Sequence, residues 1–299
     1  MSEYHNPVML RESVAALAIK PNGVYVDATL GGGGHSRAIL GQLREGKLYA
    51  FDCDADAAEN APKDRRFFFV RNNFKYLQNC LRYLDCTSVD GIIADLGVSS
   101  HQFDVGARGF SFRFDADLDM RMNRDASLTA AQVLNHYPEK ELERIFRQYG
   151  EMSQSRQVAQ LIGKARAQKS IEDTGALSLA LASIIPRQYT HKFWATLYQS
   201  LRIEVNREID ALEALLDQSL RLLKVGGRLV VITYHSLEDR MVKNFMRSGN
   251  IKGTISKDFY GNKETPFMAV TKKAVTPSPQ EIQQNNRARS AKLRAVEKR

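Results

Sequence analysis

The sequence predicts an α/β protein: a mostly parallel sheet with crossover helices, interrupted by an inserted all-helical segment. Three observations carry this. Strand-like and helix-like segments alternate between residues 24 and 100, the rhythm of parallel strands joined by helices. Over residues 101–185 the strand signal disappears and helical spacing takes its place. The alternation then resumes at residues 201–233.

Taken in order, Val24–Asp27 is a short β-rich run that enters a glycine cluster, and His35–Leu43 reads as a helix. Lys47–Asp52 is a second strand ending on an acid, and Arg66–Val70 is a third. Phe74, Leu77, Leu81 and Leu84 mark a helix, and Val89–Asp95 is a fourth strand that again ends on an acid. Near-continuous apolar strands fit burial on both faces. Residues 101–124 are rich in Phe, Arg and Asp without a clear period. Helices are expected over Pro138–Gly150, around Val158, Leu161, Ile162 and Ala165, and over Thr174–Ile185. Leu201, Val205, Ile209, Leu212, Leu216 and Leu220 repeat at helical spacing until Gly226-Gly227 stops the pattern. Arg228–Thr233 is a fifth strand, and Phe267–Thr271 is a weaker one placed to close the sheet. The sheet domain is thus expected to be discontinuous, residues 1–104 and 206–299, with residues 105–205 as the insertion.

Composition narrows the class. At 299 residues, 43% apolar and 26% charged, the chain has enough core for a globular fold, which excludes disorder as its main state and a disulfide-stapled mini-protein. Cys53, Cys80 and Cys86 lack zinc-site spacing. The N-terminus shows no basic-then-apolar signal, and the longest uncharged stretch has 13 residues, short of the roughly 20 a membrane span needs. The expectation is a reducing cytoplasm with no membrane partner. The net charge of +9 is uneven: Lys272–Arg299 holds eight basic and two acidic residues, so the remainder carries only +3. Such a tail attracts polyanions through counterion release, or is merely a solvated end.

The loop Asp27-Ala28-Thr29-Leu30-Gly31-Gly32-Gly33-Gly34-His35-Ser36 joins the first strand to the first helix. Glycines there permit positive φ and close approach of backbone to a ligand. In open parallel sheets, ligands bind beyond the carboxyl ends of the strands, and an acid closing the second strand, here Asp52, commonly accepts ribose hydroxyls. Together these imply an adenosine-containing ligand. The dinucleotide spacing fails because its third glycine falls on Ser36, and the phosphate-loop lysine is absent. S-adenosylmethionine, which lacks a polyphosphate, remains, and the reading requires no metal. Asp95 closes the fourth strand, where it faces the reacting atoms or serves as a cap or adenine contact. A base's exocyclic amine is a poor nucleophile because its lone pair is delocalised. An acceptor bonded to its hydrogens helps the nitrogen pyramidalise. No cysteine follows the fourth strand, so the thiolate needed for ring-carbon methylation is missing and nitrogen is favoured. Arg108, Phe110 and Phe112 interleave charge and aromatic rings as in base-stacking sites, or pack the insertion. Ser236 and Asp239 have capping-box spacing, leaving His235 as the exposed member and a weaker candidate for substrate contact.

These motifs make the chain resemble the bacterial small-subunit (16S) ribosomal RNA cytosine-N4 methyltransferases, the methyltransferase H family. The matching stretches are His5–Met9, Gly31–Ser36, Asp95–Ser100, Arg108–Phe112, Leu118–Met122, Tyr149–Glu151, Arg202-Ile203, Val205-Asn206, His235–Arg240 and Arg287–Arg294. The resemblance implies a Rossmann-like class I S-adenosylmethionine-dependent methyltransferase sheet and direct in-line methyl transfer to N4 of a cytidine near the ribosomal P site. It places the donor on Gly33, Gly34, His35, Asp52, Phe74, Asp95 and Gln102. RNA, free or in the small subunit, would meet the insertion, the Arg108–Phe112 segment and the tail residues Arg287, Arg289, Lys292 and Arg294. Two alternatives stay open: a small-molecule or protein methyltransferase on the same sheet, and a non-catalytic assembly factor.

Overall fold

The apolar runs that end on acids form the centre of a seven-stranded sheet with the order β3-β2-β1-β4-β5-β9-β8. This is seen in a computed structural model that describes residues 7–185, 188, 190–261 and 263–299; His5 and Asn6 of the first matched stretch lie outside it. The described chain divides into two units. One comprises the residues up to Gly97 with Ile209–Arg299, and the other is Val98–Glu208.

In the first unit, β1 (Val24–Asp27), β2 (Lys47–Asp52), β3 (Phe67–Arg71), β4 (Val89–Asp95) and β5 (Leu223–Thr233) run parallel. Successive residues point to opposite faces of the sheet. Ile92 therefore joins one apolar cluster and Ile93 the other. Helices α1 (Leu10–Leu17) and α2 (Gly34–Leu40) cover the face that bears Ile93 and Leu48. The opposite face, with Phe51 and Ile92, is covered by α3 (Leu77–Tyr83), α10 (Glu208–Leu222) and α11 (Ser236–Ser248). The order reverses between β1 and β4, which opens a crevice at their carboxyl ends.

The single long helix expected after residue 201 is instead two. The first ends at Asn206, Arg207 takes a left-handed φ of 51°, and α10 begins at Glu208. The tail also differs from a solvated end. After the two-stranded ribbon of β6 (Ser256–Lys257) and β7 (Lys263–Glu264) comes the edge strand β8 (Phe267–Ala269). Helix α12 (Pro279–Gln284) leads to β9 (Lys292–Lys298), which inserts antiparallel between β5 and β8. Leu293, Ala295 and Val296 are buried there. The positive charges hid this strand: Leu293 and Ala295 enter the cluster on one face of the sheet and Val296 the cluster on the other, while Lys292 and Arg294 are paired with Asp239. The tail also clasps the start of the chain: Met9 N–H donates to Glu281 Oε1 at 2.6 Å.

The second unit packs α4 (Ser100–Asp104), α5 (Ala130–His136), α6 (Glu139–Gln148), α7 (Ser155–Arg166), α8 (Thr174–Leu181) and α9 (Thr190–Asn206). Helix α8 stops four residues before the expected Ile185. One apolar core runs through the unit, including Phe146, Leu197 and Leu201. Two of the matched stretches meet in it: Asn206 accepts the Met122 N–H at 2.7 Å and donates to the Met120 carbonyl at 2.8 Å.

If β9 is a core strand, Leu293→Ala lowers unfolding free energy by about 2–4 kcal/mol, read from urea melts by circular dichroism. Arg289→Ala, on the exposed turn before it, changes stability by less than about 0.5 kcal/mol.

Candidate active site

The loop between β1 and α2 turns on glycines with positive φ, 47° at Gly31 and 73° at Gly33. Their need for space comes first from the chain itself. A Cβ on Gly33 would stand 2.8 Å from the Asn60 carbonyl oxygen, and one on Gly34 would stand 2.6 Å from the Pro7 ring. Asn60 straps the loop by donating to the Gly31 carbonyl at 2.8 Å, and Arg37 donates to the carbonyls of Asn60 and Gly32.

Asp52, at the end of β2, accepts the backbone N–H groups of Gly31 and Asp54, each at 2.9 Å. Burial pushes its carboxyl up to about 6 against these two donors. Asp95, at the end of β4, is held at both backbone and side chain. Its N–H donates to Thr29 Oγ1 of the glycine loop at 2.7 Å, and its Oδ1 accepts the Tyr234 hydroxyl at 2.7 Å. Burial pushes it to about 6 as well, opposed by His35 and Tyr234 and assisted by Asp27 and Glu238. The glycine turn, Asp52 and Asp95 therefore share one rim, through direct contacts.

Two further groups shape the rim. Tyr234 follows β5, and burial followed by the Asp95 charge raises its phenol far above the ordinary value, so it stays protonated and donates. His35, the second residue of α2, is buried, and burial lowers its pKa, so the ring is neutral near pH 7. Its Nδ1 lies 4.0 Å from Asp95 Oδ2, and its Nε2 has no hydrogen-bond partner among the described residues. Beneath the loop, Asp27 accepts the Ser36 hydroxyl at 2.7 Å and the Thr29 N–H at 3.1 Å.

Phe74 opens a 3₁₀ turn (Phe74–Tyr76) three residues beyond Arg71, the partner of Asp52 in the sheet register, so it stands at the same rim. The Gln218 side chain fixes that turn by donating to the Lys75 carbonyl at 2.9 Å. Six of the seven expected donor positions thus lie along this edge of the first unit. Gln102 belongs to the second unit, where it is buried and completes a capping box with Ser99.

Several expected contacts are corrected. His235, not Ser236, caps α11: its Nδ1 accepts the Glu238 N–H at 3.4 Å. Glu238 returns the bond by accepting the Tyr234 N–H at 2.9 Å. The imidazole is enclosed beside Glu238, with Nε2 3.1 Å from Oε1, and is not the exposed member of its motif. Arg108 and Phe110 are buried. Arg108 donates to the carbonyls of Arg121 and Met122, at 2.8 and 3.1 Å. Phe112 packs edge-on against His191 and Tyr198, with ring centroids 5.0 and 5.7 Å away. These three build the helical core, where an open stacking platform was one expectation. In the tail, Arg294 and Lys292 reach Asp239 of α11 at 2.7 and 3.4 Å, while Arg287 and Arg289 are exposed. Sequence reasoning missed Tyr234, although its place one residue past an apolar strand beside β4 was a usable signal. It also missed Thr29 and Asn60, whose pairing depends on the folded loop.

The MraW methylase family model matches residues 2–299. A Parabacteroides distasonis protein named ribosomal RNA small subunit methyltransferase H is 54% identical over 297 residues, covering 99% of this chain and 97% of that protein. A Flavobacterium psychrophilum protein of the same name is 54% identical over 292 residues, covering 97% of this chain and all of that protein. One from Amoebophilus asiaticus is 50% identical over 299 residues, covering 99% of this chain and 96% of that protein. With a sheet order that reverses at β1 and β4, glycine and acid motifs converging at that reversal and a family match over nearly its whole length, this chain belongs to the MraW methylase family.

Proposed function

We propose that the protein methylates the exocyclic N4 of a cytidine in small-subunit ribosomal RNA near the P site, in the cytoplasm. The chain is a methyltransferase of the class I fold, and S-adenosylmethionine is its donor. The observation that carries the reading is the convergence of the glycine turn, Asp52 and Asp95 on one rim, with Tyr234 holding the last. The names of the relatives support ribosomal RNA as the substrate.

The rim suits this donor. An ionised carboxylate has about four acceptor sites, and Asp52 spends two on Gly31 and Asp54, which leaves capacity for ribose hydroxyls. Two carboxylates that burial has raised to about 6 are both stabilised in ionised form by a cationic ligand. Gly33, Gly34, His35 and Phe74 would line the donor's place on the first unit. Bound S-adenosylmethionine supplies an electrophilic methyl group on a sulfonium.

The chain's own contribution is orientation and a proton acceptor. Tyr234 occupies Asp95 Oδ1, so Oδ2 is the oxygen that accepts an N–H of the target amine and holds its nitrogen in line. A carboxylate near pKa 6 is mostly ionised at neutral pH and is basic enough to receive the amine's proton as the new N–C bond forms. The base must leave its stack to reach the rim. Exposed Arg287 and Arg289 remain candidates for phosphate contact, whereas His235, Arg108, Phe110 and Phe112 act on the protein's own structure.

Labelled donor incubated with small-subunit particles, protein and metabolite pools, followed by digestion, decides the substrate. Label in N4-methylcytidine is expected. Label confined to protein or small molecules, or no transfer at all, overturns the reading in favour of one of the alternatives. Two variants test the mechanism. Asp95→Asn lowers kcat at least about a hundredfold, with donor affinity retained within tenfold by calorimetry. It also raises the thermal midpoint by a few degrees at pH 7.5. The folded carboxyl sits near 6 against an ordinary 3.8, so its ionisation penalises the fold above about pH 6 and not below about pH 4, and the amide removes that penalty. Tyr234→Phe removes a bond that favours the ionised form. The acid limb of kcat/KM, expected near pH 6 in the parent, therefore moves to higher pH.

A further inference from the structure

The segment between α11 and β8 carries two aromatic rings with no core to enter. The β6–β7 ribbon pairs Ser256 with Glu264 and Lys257 with Lys263. At its tip a hydrogen-bonded turn forms: Gly261 N–H donates to the Asp258 carbonyl at 3.0 Å, and the Asp258 carboxylate accepts the Tyr260 N–H at 2.9 Å. Gly261 has the positive φ that ends the turn, 82°. The two central positions, usually polar in such turns, are Phe259 and Tyr260, which are 97% and 85% exposed. Their rings meet edge to face, with centroids 5.6 Å apart at 88°, so they form a joint projection rather than two scattered side chains.

The surroundings select the partner. From Arg247 to Lys273 there are six basic residues and two acidic ones, and Lys252 and Lys257 are exposed. An aromatic pair within a cationic stretch matches single-stranded nucleic acid, whose bases stack on rings while its phosphates meet lysines. A protein surface of matching apolar shape would not call for the charge.

We propose that the Phe259–Tyr260 tip is a base-stacking contact for unpaired nucleotides of the substrate RNA. This rests on the ribosomal RNA reading and adds a surface to it. The tip also lies far from the chemistry within the first unit. Phe267, which begins β8, pairs with Lys298, and Lys298 is at the end of β9 opposite Lys292, the partner of Thr233. The ribbon therefore leaves the sheet at the end away from the Asp52–Asp95 rim, a separation of roughly 20 Å at 3.4 Å per strand residue. The contact grips RNA away from the target nucleotide and should act on KM rather than on kcat.

The test is a Phe259→Ser, Tyr260→Ser double variant, with unchanged thermal midpoint and donor affinity as controls for folding. With small-subunit particles, KM is expected to rise about tenfold or more while kcat holds. With a uridylate dodecamer, affinity is expected to fall by a similar factor with the same salt dependence, since stacking releases no counterions. Lys252→Gln with Lys257→Gln should instead flatten the salt dependence by about two counterions. Unchanged affinity for the dodecamer in the double variant overturns the proposal. So does a loss confined to intact particles, which would assign the tip to a ribosomal protein. Failure of the parent protein to methylate RNA at all would instead sink the substrate reading, and the two failures are distinguishable.

Discussion

The physical constraint on which the rest depends is the burial of two carboxylates at the reversal point of the sheet. Burial pushes Asp52 and Asp95 toward pKa 6, an arrangement that opposes folding at neutral pH. The surrounding structure is organised to tolerate it. Asp52 is met by two backbone N–H groups, and Asp95 by a phenol. The Asp95 backbone is tied to Thr29, whose own N–H is tied to Asp27. Each support comes from a different strand end or loop, so the site exists only when β1, β2, β4 and β5 are in register.

Most of this was legible from local pattern. Strands with near-continuous apolar character, closed by Asp52 and Asp95, announced a parallel sheet and its functional edge. The failures share a cause, which is that residue type was read without its partner. The tail's charge suggested a solvated arm or a polyanion contact, yet Leu293 and Ala295 alternate with Lys292 and Arg294 and enter the core on one face, and Val296 enters it on the other. Arg108 and Phe112 resembled a nucleic-acid surface, yet the guanidinium is used to cap two carbonyls and the ring is packed among aromatics. The reverse error occurred at Phe259 and Tyr260, which have no periodic neighbours to mark them and are exposed only because a local turn holds them out.

The glycine loop shows how one motif answers two demands. Its positive φ angles at Gly31 and Gly33 are intrinsic to the turn. The close approaches that exclude a Cβ, however, are to Asn60 and Pro7. Pro7 in turn begins the segment that the tail clasps through Glu281 and Met9. The chain's two ends are thereby coupled to the donor loop. Removing the basic tail would disturb the donor site and the sheet, so tail deletion is a poor probe of RNA binding, and point changes on its exposed face are the informative ones.

The choice of a phenol at Asp95 follows from the same electrostatics. A lysine or arginine in the place of Tyr234 would hold the carboxylate ionised more firmly, since a charge-assisted bond is about twice as strong as a neutral one. It would also depress the basicity the reaction needs and set a fixed positive charge beside a cationic donor, a repulsion that low dielectric magnifies. A neutral donor avoids both effects. The Tyr234 hydroxyl fixes one oxygen of Asp95 and lowers its pKa only in part, so the value remains near 6. Neutral His35 on the other side, kept uncharged by burial, follows the same logic. The rim holds its two carboxylates with neutral donors, which leaves their charge for the sulfonium of the donor to meet.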